Sequence, residues 1–268
     1  MLKQIKPLQW LNLGLLCTSL AISSIAIAQT PEEKGLAIAK ERKLRDKGWG
    51  DTESATKMVL RNAEGEESIR KMRLKALEVQ GDGDKGLTIF DEPRDVKGTA
   101  FLNFSHIHEA DDQWLYLPAL KRVKRISSRN KSGPFMGSEF SYEDLASFEV
   151  EKYTYKLLRE EVVHGENSWV IETIPTDKFS GYSKQIIWID QSEYRVQKID
   201  FYDRKKSLMK TLSFLNYRQY LNKYWRANTM SMVNHQTNKS TDLITESVEF
   251  RVGLSDNDFN KNSLKRLR

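Results

Sequence analysis

From Lys57 onward, apolar and polar positions alternate with a period of two over most of the chain, the spacing of strands with one face buried. Met58 and Leu60 alternate with Val59 and Arg61. After the turn Glu64-Gly65-Glu66-Glu67, Met72, Leu74 and Ala76 alternate with Lys71, Arg73 and Lys75, which predicts a hairpin with a charged outer face. Gly81-Asp82-Gly83-Asp84 is a turn signal, and 87–90 and 99–104 form another strand pair around Asp91-Glu92-Pro93-Arg94. Further strands are expected at 153–159, 168–174, 185–189, 196–202, 209–217, 228–233 and 243–250. They are separated by His164-Gly165-Glu166-Asn167, Asp190-Gln191-Ser192-Glu193 and the polar stretch 234–241. Roughly eleven to thirteen short strands with hairpin-length loops predict a large antiparallel sheet, strongly curved or barrel-like. The segment 185–189 (QIIWI) is apolar on both faces, so cover is expected outside as well as inside. The candidates for that cover are an N-terminal helix, a helix near Tyr142 and a final turn near Asp256-Asn257-Asp258-Phe259.

The period changes only near the N-terminus. Thr30-Pro31-Glu32-Glu33 reads as a capping box with proline at the first helical position. Leu36, Ala37, Lys40 and Leu44 then fall near one face, and Gly48-Trp49-Gly50 ends the helix, with Trp49 as a pin.

Ahead of this helix, Lys3 and Lys6 precede a mostly apolar run closed by Ala26-Ile27-Ala28, the pattern of a cleaved signal peptide. The expected organisation is a signal peptide at 1–28 and one domain at 29–268, periplasmic and monomeric. Cys17, the single cysteine, lies within the leader, so the mature chain would depend on core burial without disulfides. Loss of the leader lowers the formal charge from +6 to +4, too mild a surplus to call for nucleic-acid binding.

Catalytic signatures are absent from the sequence: there is no Gly-x-Ser-x-Gly elbow, mature cysteine, phosphate loop or dinucleotide fingerprint. His106 and His108 share a strand face beside Glu109, Asp111 and Asp112. An H-x-H pair alone is unspecific, and the reading is solvated histidines with no metal. Glu143 and Asp144 read as acids at a helix N-terminus. No cofactor and no enzymatic activity are expected.

The most particular stretch is 114–145, WLYLPALKRVKRISSRNKSGPFMGSEFSYEDL. Its basic run, Lys121, Arg122, Lys124, Arg125, Arg129 and Lys131, suits an exposed strand, with Val123 and Ile126 turned inward. Such charges guard a sheet edge or meet acidic headgroups or a partner. Tyr116-Leu117-Pro118-Ala119-Leu120-Lys121-Arg122-Val123, Phe135-Met136-Gly137-Ser138 and Phe140-Ser141-Tyr142-Glu143-Asp144-Leu145 resemble the outer-membrane lipoprotein-sorting protein family. These are LolA-like periplasmic proteins often found beside transporters of the RND/MMPL type. The resemblance spans essentially the whole mature chain. It implies an unclosed β-barrel with covering helices, whose apolar cavity receives the acyl chains of a lipid or lipoprotein. Adaptable side chains suit such a cavity, and Met58, Met72, Phe101, Trp114, Trp188, Phe214, Met230 and Met232 are its candidates. Pro134, Phe135, Met136, Gly137 and Tyr142 would cross near the mouth, and the basic run would contact headgroups or a partner. The implied function is a non-enzymatic carrier or chaperone working with an inner-membrane transporter. The alternative is a sensor or adaptor that uses the same fold to regulate a membrane protein.

Overall fold

The computed structural model describes Met1 and residues 29–266. Apart from Met1, the expected signal peptide lies outside them. Thirteen strands form one antiparallel sheet. They are β1 (Asp51–Arg61), β2 (Glu67–Leu77), β3 (Lys85–Glu92), β4 (Ala100–Phe104), β5 (Asp112–Leu117), β6 (Arg122–Ile126), β7 (Tyr153–Val163), β8 (Glu166–Pro175), β9 (Tyr182–Asp190), β10 (Val196–Asp203), β11 (Leu208–Tyr220), β12 (Tyr224–Asn234) and β13 (Lys239–Phe250). Their spatial order is β6-β5-β4-β3-β2-β1-β13-β12-β11-β10-β9-β8-β7. Two meanders are therefore joined where β1 pairs with β13. The free edges, β6 and β7, are consecutive in the chain, and the crossover 127–152 connects them. The sheet does not close into a barrel.

Helix α1 (Pro31–Arg45) begins as its sequence dictates: the Glu33 amide donates to Thr30 Oγ1 at 3.1 Å, and the Thr30 amide donates to Glu33 Oε2 at 2.8 Å. Its buried face differs from the expected one. Ala37, Lys40 and Leu44 are exposed, Leu36 is half-buried against the core, and Gly35, Ile38 and Ala39 are buried. The reason is steric: a Cβ on Gly35 would lie 3.0 Å from the backbone nitrogens of Lys156 and Leu157. The helix thus rests on β7 through its one side-chain-free position.

Register assigns the faces. Met58, Leu243, Met230 and Phe214 are successive cross-strand partners over β1, β13, β12 and β11. Ile171, Ile187, Ile199, Leu212 and Met232 form a second such row over β8 to β12. These rows lie on the inner face, against which α1 and the crossover pack. On the opposite face, Phe259 and Leu264 of the C-terminal segment cover Leu87, Ile89, Ala100, Leu102 and Tyr116. A smaller cluster there joins Val170, Ile186 and Trp188. Lys198 Nζ lies 3.9 Å from the Trp188 ring centroid and 3.2 Å from Asp200, so a paired ammonium roofs part of that patch. The two-sided apolar strand is explained: Ile187 and Ile189 lie under α1, Ile186 and Trp188 outside. Among the described residues no helix is long and apolar enough to cross a membrane.

Candidate functional site

The crossover is the element that fills the unclosed sheet. Within it, Pro134 bridges to Ser141, and the Phe135 amide donates to the Phe140 carbonyl at 2.7 Å. The turn at the tip needs left-handed backbone at Met136 (φ 50°) and Gly137 (φ 75°). This small hairpin drives Phe135 and Phe140 into the inner-face core. Phe135 packs with ring centroids 5.8 Å from Phe90, 5.2 Å from Phe101 and 5.7 Å from Tyr142, spacings typical of tilted and edge-on aromatic pairs. The Arg70 guanidinium donates to the Met136 carbonyl.

A buried polar latch holds this hairpin to the far wall. Asp144 accepts from its own capping amide, Ser141 N, at 2.7 Å, from Lys210 Nζ at 2.7 Å and from the Tyr182 hydroxyl at 2.7 Å. Lys210 also donates to the Glu139 carbonyl at 2.8 Å. The Asp144 and Lys210 side chains are 4% and 2% exposed, and these hydrogen bonds, with the Tyr182 and Phe201 rings 5.3 and 5.4 Å from Lys210 Nζ, offset the cost of burying the pair. Neighbouring Glu143 accepts from Ser180 Oγ at 2.8 Å and Gly181 N at 2.9 Å. Burial, and then the adjacent Asp144, raise its pKa above the usual carboxylate range. The helix expected near Tyr142 is a single 3-10 turn, Tyr142–Leu145, with Glu143 and Asp144 in its first turn and a Ser141–Asp144 capping box. At the other end of the crossover, Lys43 of α1 donates to the Phe148 carbonyl and Glu149 Oε1, both at 3.0 Å.

Between crossover and inner face lies a cavity of about 680 Å³, lined on the sheet side by Ile187, Ile199, Phe201, Leu212, Phe214, Met230 and Leu243. Phe140, Leu145 and Phe148 of the crossover line its other side, and Tyr153 at the start of β7 completes the wall. A second cavity of about 660 Å³ lies beside the C-terminal end of α1 and the β11–β12 hairpin, with Trp49, Tyr217, Tyr220, Tyr224 and Trp225 on its walls.

Of the eight expected lining residues, Phe214 and Met230 border these cavities. Met58, Met72, Phe101 and Met232 share the inner face but are packed solid, with Phe135 and Phe140 among their neighbours. Trp114 and Trp188 face the other way and are corrected: Trp114 pairs with Leu102 and lies edge-on to Phe104, while Trp188 pairs with Val170 and Lys198. Of the expected mouth residues, Pro134 and Gly137 are exposed, Met136 and Tyr142 are half-buried, and Phe135 is a plug in the core rather than a rim residue. Lys121, Arg122, Lys124, Arg125 and Arg129 are exposed on and after edge strand β6. There Arg125 pairs with Asp112, and the Arg129 guanidinium lies 5.6 Å from the Phe179 ring centre. His106 Nδ1 lies 2.7 Å from Asp82, while His108 borders the 680 Å³ cavity. Among the described residues no group of three metal-ligating side chains forms.

Sequence reasoning missed Ile187, Ile199, Leu212 and Leu243 as cavity walls, although their cross-strand partnership with Met230, Met232 and Ile171 was latent in the alternation. It also missed Arg42 of α1, which borders both cavities. Its signal was the i, i+3, i+4, i+7 relation to Gly35, Ile38 and Ala39.

A family model described as "-like: Uncharacterized protein" matches residues 82–266. The chain is 66% identical to a domain from Vibrio parahaemolyticus assigned to outer membrane lipoprotein-sorting proteins, with 88% of this chain and 100% of that one covered and a TM-score of 0.86. A DUF1329 family protein from Desulfovibrio piger is 29% identical, covers 88% of this chain and all of its own, and has a TM-score of 0.83. A LolA superfamily protein from Nitrosomonas europaea shares the fold at 21% identity and a TM-score of 0.68, over 88% of this chain and 99% of its own. No functionally curated protein matches. At this degree of identity to the Vibrio parahaemolyticus domain, the chain belongs to the outer membrane lipoprotein-sorting protein family, and its fold is LolA-like.

Proposed function

We propose that this protein is a non-enzymatic periplasmic carrier that shelters the acyl chains of a lipid or lipoprotein and exchanges them with an inner-membrane transporter of the RND/MMPL type. The observation that carries the reading is the cavity of about 680 Å³ between the crossover and the apolar rows of the inner face. Its size falls in the range of roughly 300–1,000 Å³ occupied by small organic ligands. Each methylene it removes from water is worth about 0.8 kcal/mol, so an alkyl chain with several buried methylenes is held until α1 and the crossover move to release it. The exposed basic run on β6 is the surface on which headgroups or a transporter would be met, because charge there costs no desolvation until contact. Native mass spectrometry of protein purified without detergent tests this: bound lipid is expected, and delipidated protein should take up lipid from vesicles. Protein that emerges empty and acquires no lipid on incubation would remove the basis of the reading.

A further inference from the structure

Arg42, half-buried on α1, has no ion-pair partner among the described residues. Arg42 projects from the buried face of α1 to the junction of the two cavities, and Arg42, Phe214 and Met230 line both. Its guanidinium carbon lies over the Phe148 ring, 4.2 Å from the centroid. No carboxylate among the described residues lies within ion-pair distance of it. Other cations around the 660 Å³ cavity are taken: Arg45 by Glu41 at 2.8 Å, Arg195 by Asp190 at 2.8 Å and Arg226 by Asp46 at 2.6 Å. Lys223 donates to the Lys47 carbonyl at 2.6 Å.

Asp46 acts on Arg42 across space but is itself held by Arg226 at 2.6 Å. Tyr153, Tyr155 and Tyr217 stand nearby, and burial raises each phenol's pKa well above its usual value, so none supplies an anion. Burial also lowers the pKa of the guanidinium itself. Charged groups withdrawn from water are normally paired, and an arginine left unmatched on a cavity wall is set to receive a planar or tetrahedral oxyanion. A second vacant donor shares the 660 Å³ cavity: Trp225 Nε1 is buried without a hydrogen-bond partner.

We infer that the cargo is an anionic amphiphile, its carboxylate or phosphate received by Arg42 at the junction and its alkyl chain laid past Phe214 and Met230 into the 680 Å³ cavity. The polar, aromatic 660 Å³ cavity would take the remainder of the headgroup, with Trp225 Nε1 as a further donor. This rests on the carrier reading and narrows it. Neutral glycerides and alcohols of the same chain length would bind by their chains alone.

The test uses the mature protein, its Arg42→Met and Arg42→Lys variants, and four defined probes. Hexadecanoate and palmitoyl-lysophosphatidic acid carry the two kinds of anion; hexadecanol and monopalmitin are their neutral counterparts. Isothermal titration or competition for a fluorescent probe gives affinities, and thermal melting of each ligand-free variant confirms folding. Arg42→Met should weaken the anionic probes about tenfold or more, as expected for loss of a charge-assisted pair, and leave the neutral ones within about twofold. Arg42→Lys should recover part of the loss. A larger effect on one anionic probe separates a carboxylate cargo from a phosphate one. Equal losses for anionic and neutral probes, or no loss in Arg42→Met, overturn the inference while leaving the carrier reading intact. Failure of the unaltered protein to bind any of the four overturns the carrier reading itself.

Discussion

Asp84 illustrates how a single side chain can work against stability in this fold. It follows the turn that precedes β3, borders the 660 Å³ cavity and accepts one hydrogen bond, from Val79 N at 3.2 Å. Burial pushes its carboxyl up to about 6 from 3.8, with Lys43 pulling it down and Glu149 and Glu78 adding repulsion. A raised folded pKa contributes stability that is fully present below the unfolded value and is lost as pH rises through the folded one. Asp84 is therefore harmless below about pH 4 and a liability above about pH 6. Asp84→Asn keeps an acceptor for Val79 and removes the charge. It should stabilise the protein by about 1–2 kcal/mol near pH 8, and by nothing measurable near pH 3.5, in urea denaturation at the two pH values. Equal effects at both would assign the change to packing.

At the scale of elements, α1 is held by contact with backbone more than by an oily face. Its buried residues are Gly35, Ile38 and Ala39, and Lys43 ties it to Glu149 of the crossover. Replacing glycine by alanine inside a helix normally gains up to about 1 kcal/mol. At Gly35 the added methyl would stand 3.0 Å from two strand nitrogens, and overpacking costs about 1–3 kcal/mol. The clash outweighs the propensity, so Gly35→Ala should lower stability by about 1 kcal/mol. Limited proteolysis should then cut first at 46–50, beyond the lifted helix. A more stable variant would mean that the helix rides over β7 with room to spare.

The whole molecule is organised by where its chain closes. Because β1 pairs with β13, the gap falls between β6 and β7, and the segment joining those edges is placed to enter the sheet. Its hairpin fills one half of the inner face with Phe135 and Phe140 and leaves the other half as cavity. The buried Asp144–Lys210 pair ties that plug to the opposite wall, together with hydrogen bonds from the Glu139 amide to Thr241 and from Asn234 to the Glu139 carboxylate. Removing one member of a buried pair typically costs 3–5 kcal/mol, because the other is left charged without a partner. Here the Tyr182 hydroxyl and Ser141 amide still serve Asp144, so Lys210→Met is expected at the low end, about 3 kcal/mol. Hydrogen exchange should quicken across 133–145 more than across β1 to β5. Uniform acceleration would show that plug and sheet unfold as one unit.

The sequence by itself determined what is local. Period-two alternation located the strands, Thr30 and Glu33 set the start of α1, and the acids Glu143 and Asp144 marked the start of the short turn near Tyr142. Each depends on neighbours a few residues away. The motifs of 114–145 carried the family, which the fold and the 66% identity bear out. Only the tertiary structure decided which face each strand turned inward. A strand offers its two faces equally, and register with a distant partner chooses between them. Phe101 and Trp114 looked alike as apolar strand residues, yet pairing with Leu115 put one inside and pairing with Leu102 put the other outside. The same holds for Phe135, read as the rim of an opening and found as its plug. Arg42 shows the limit most clearly. Its place on the helix was readable from spacing, but its isolation depends on where every carboxylate from other elements comes to rest.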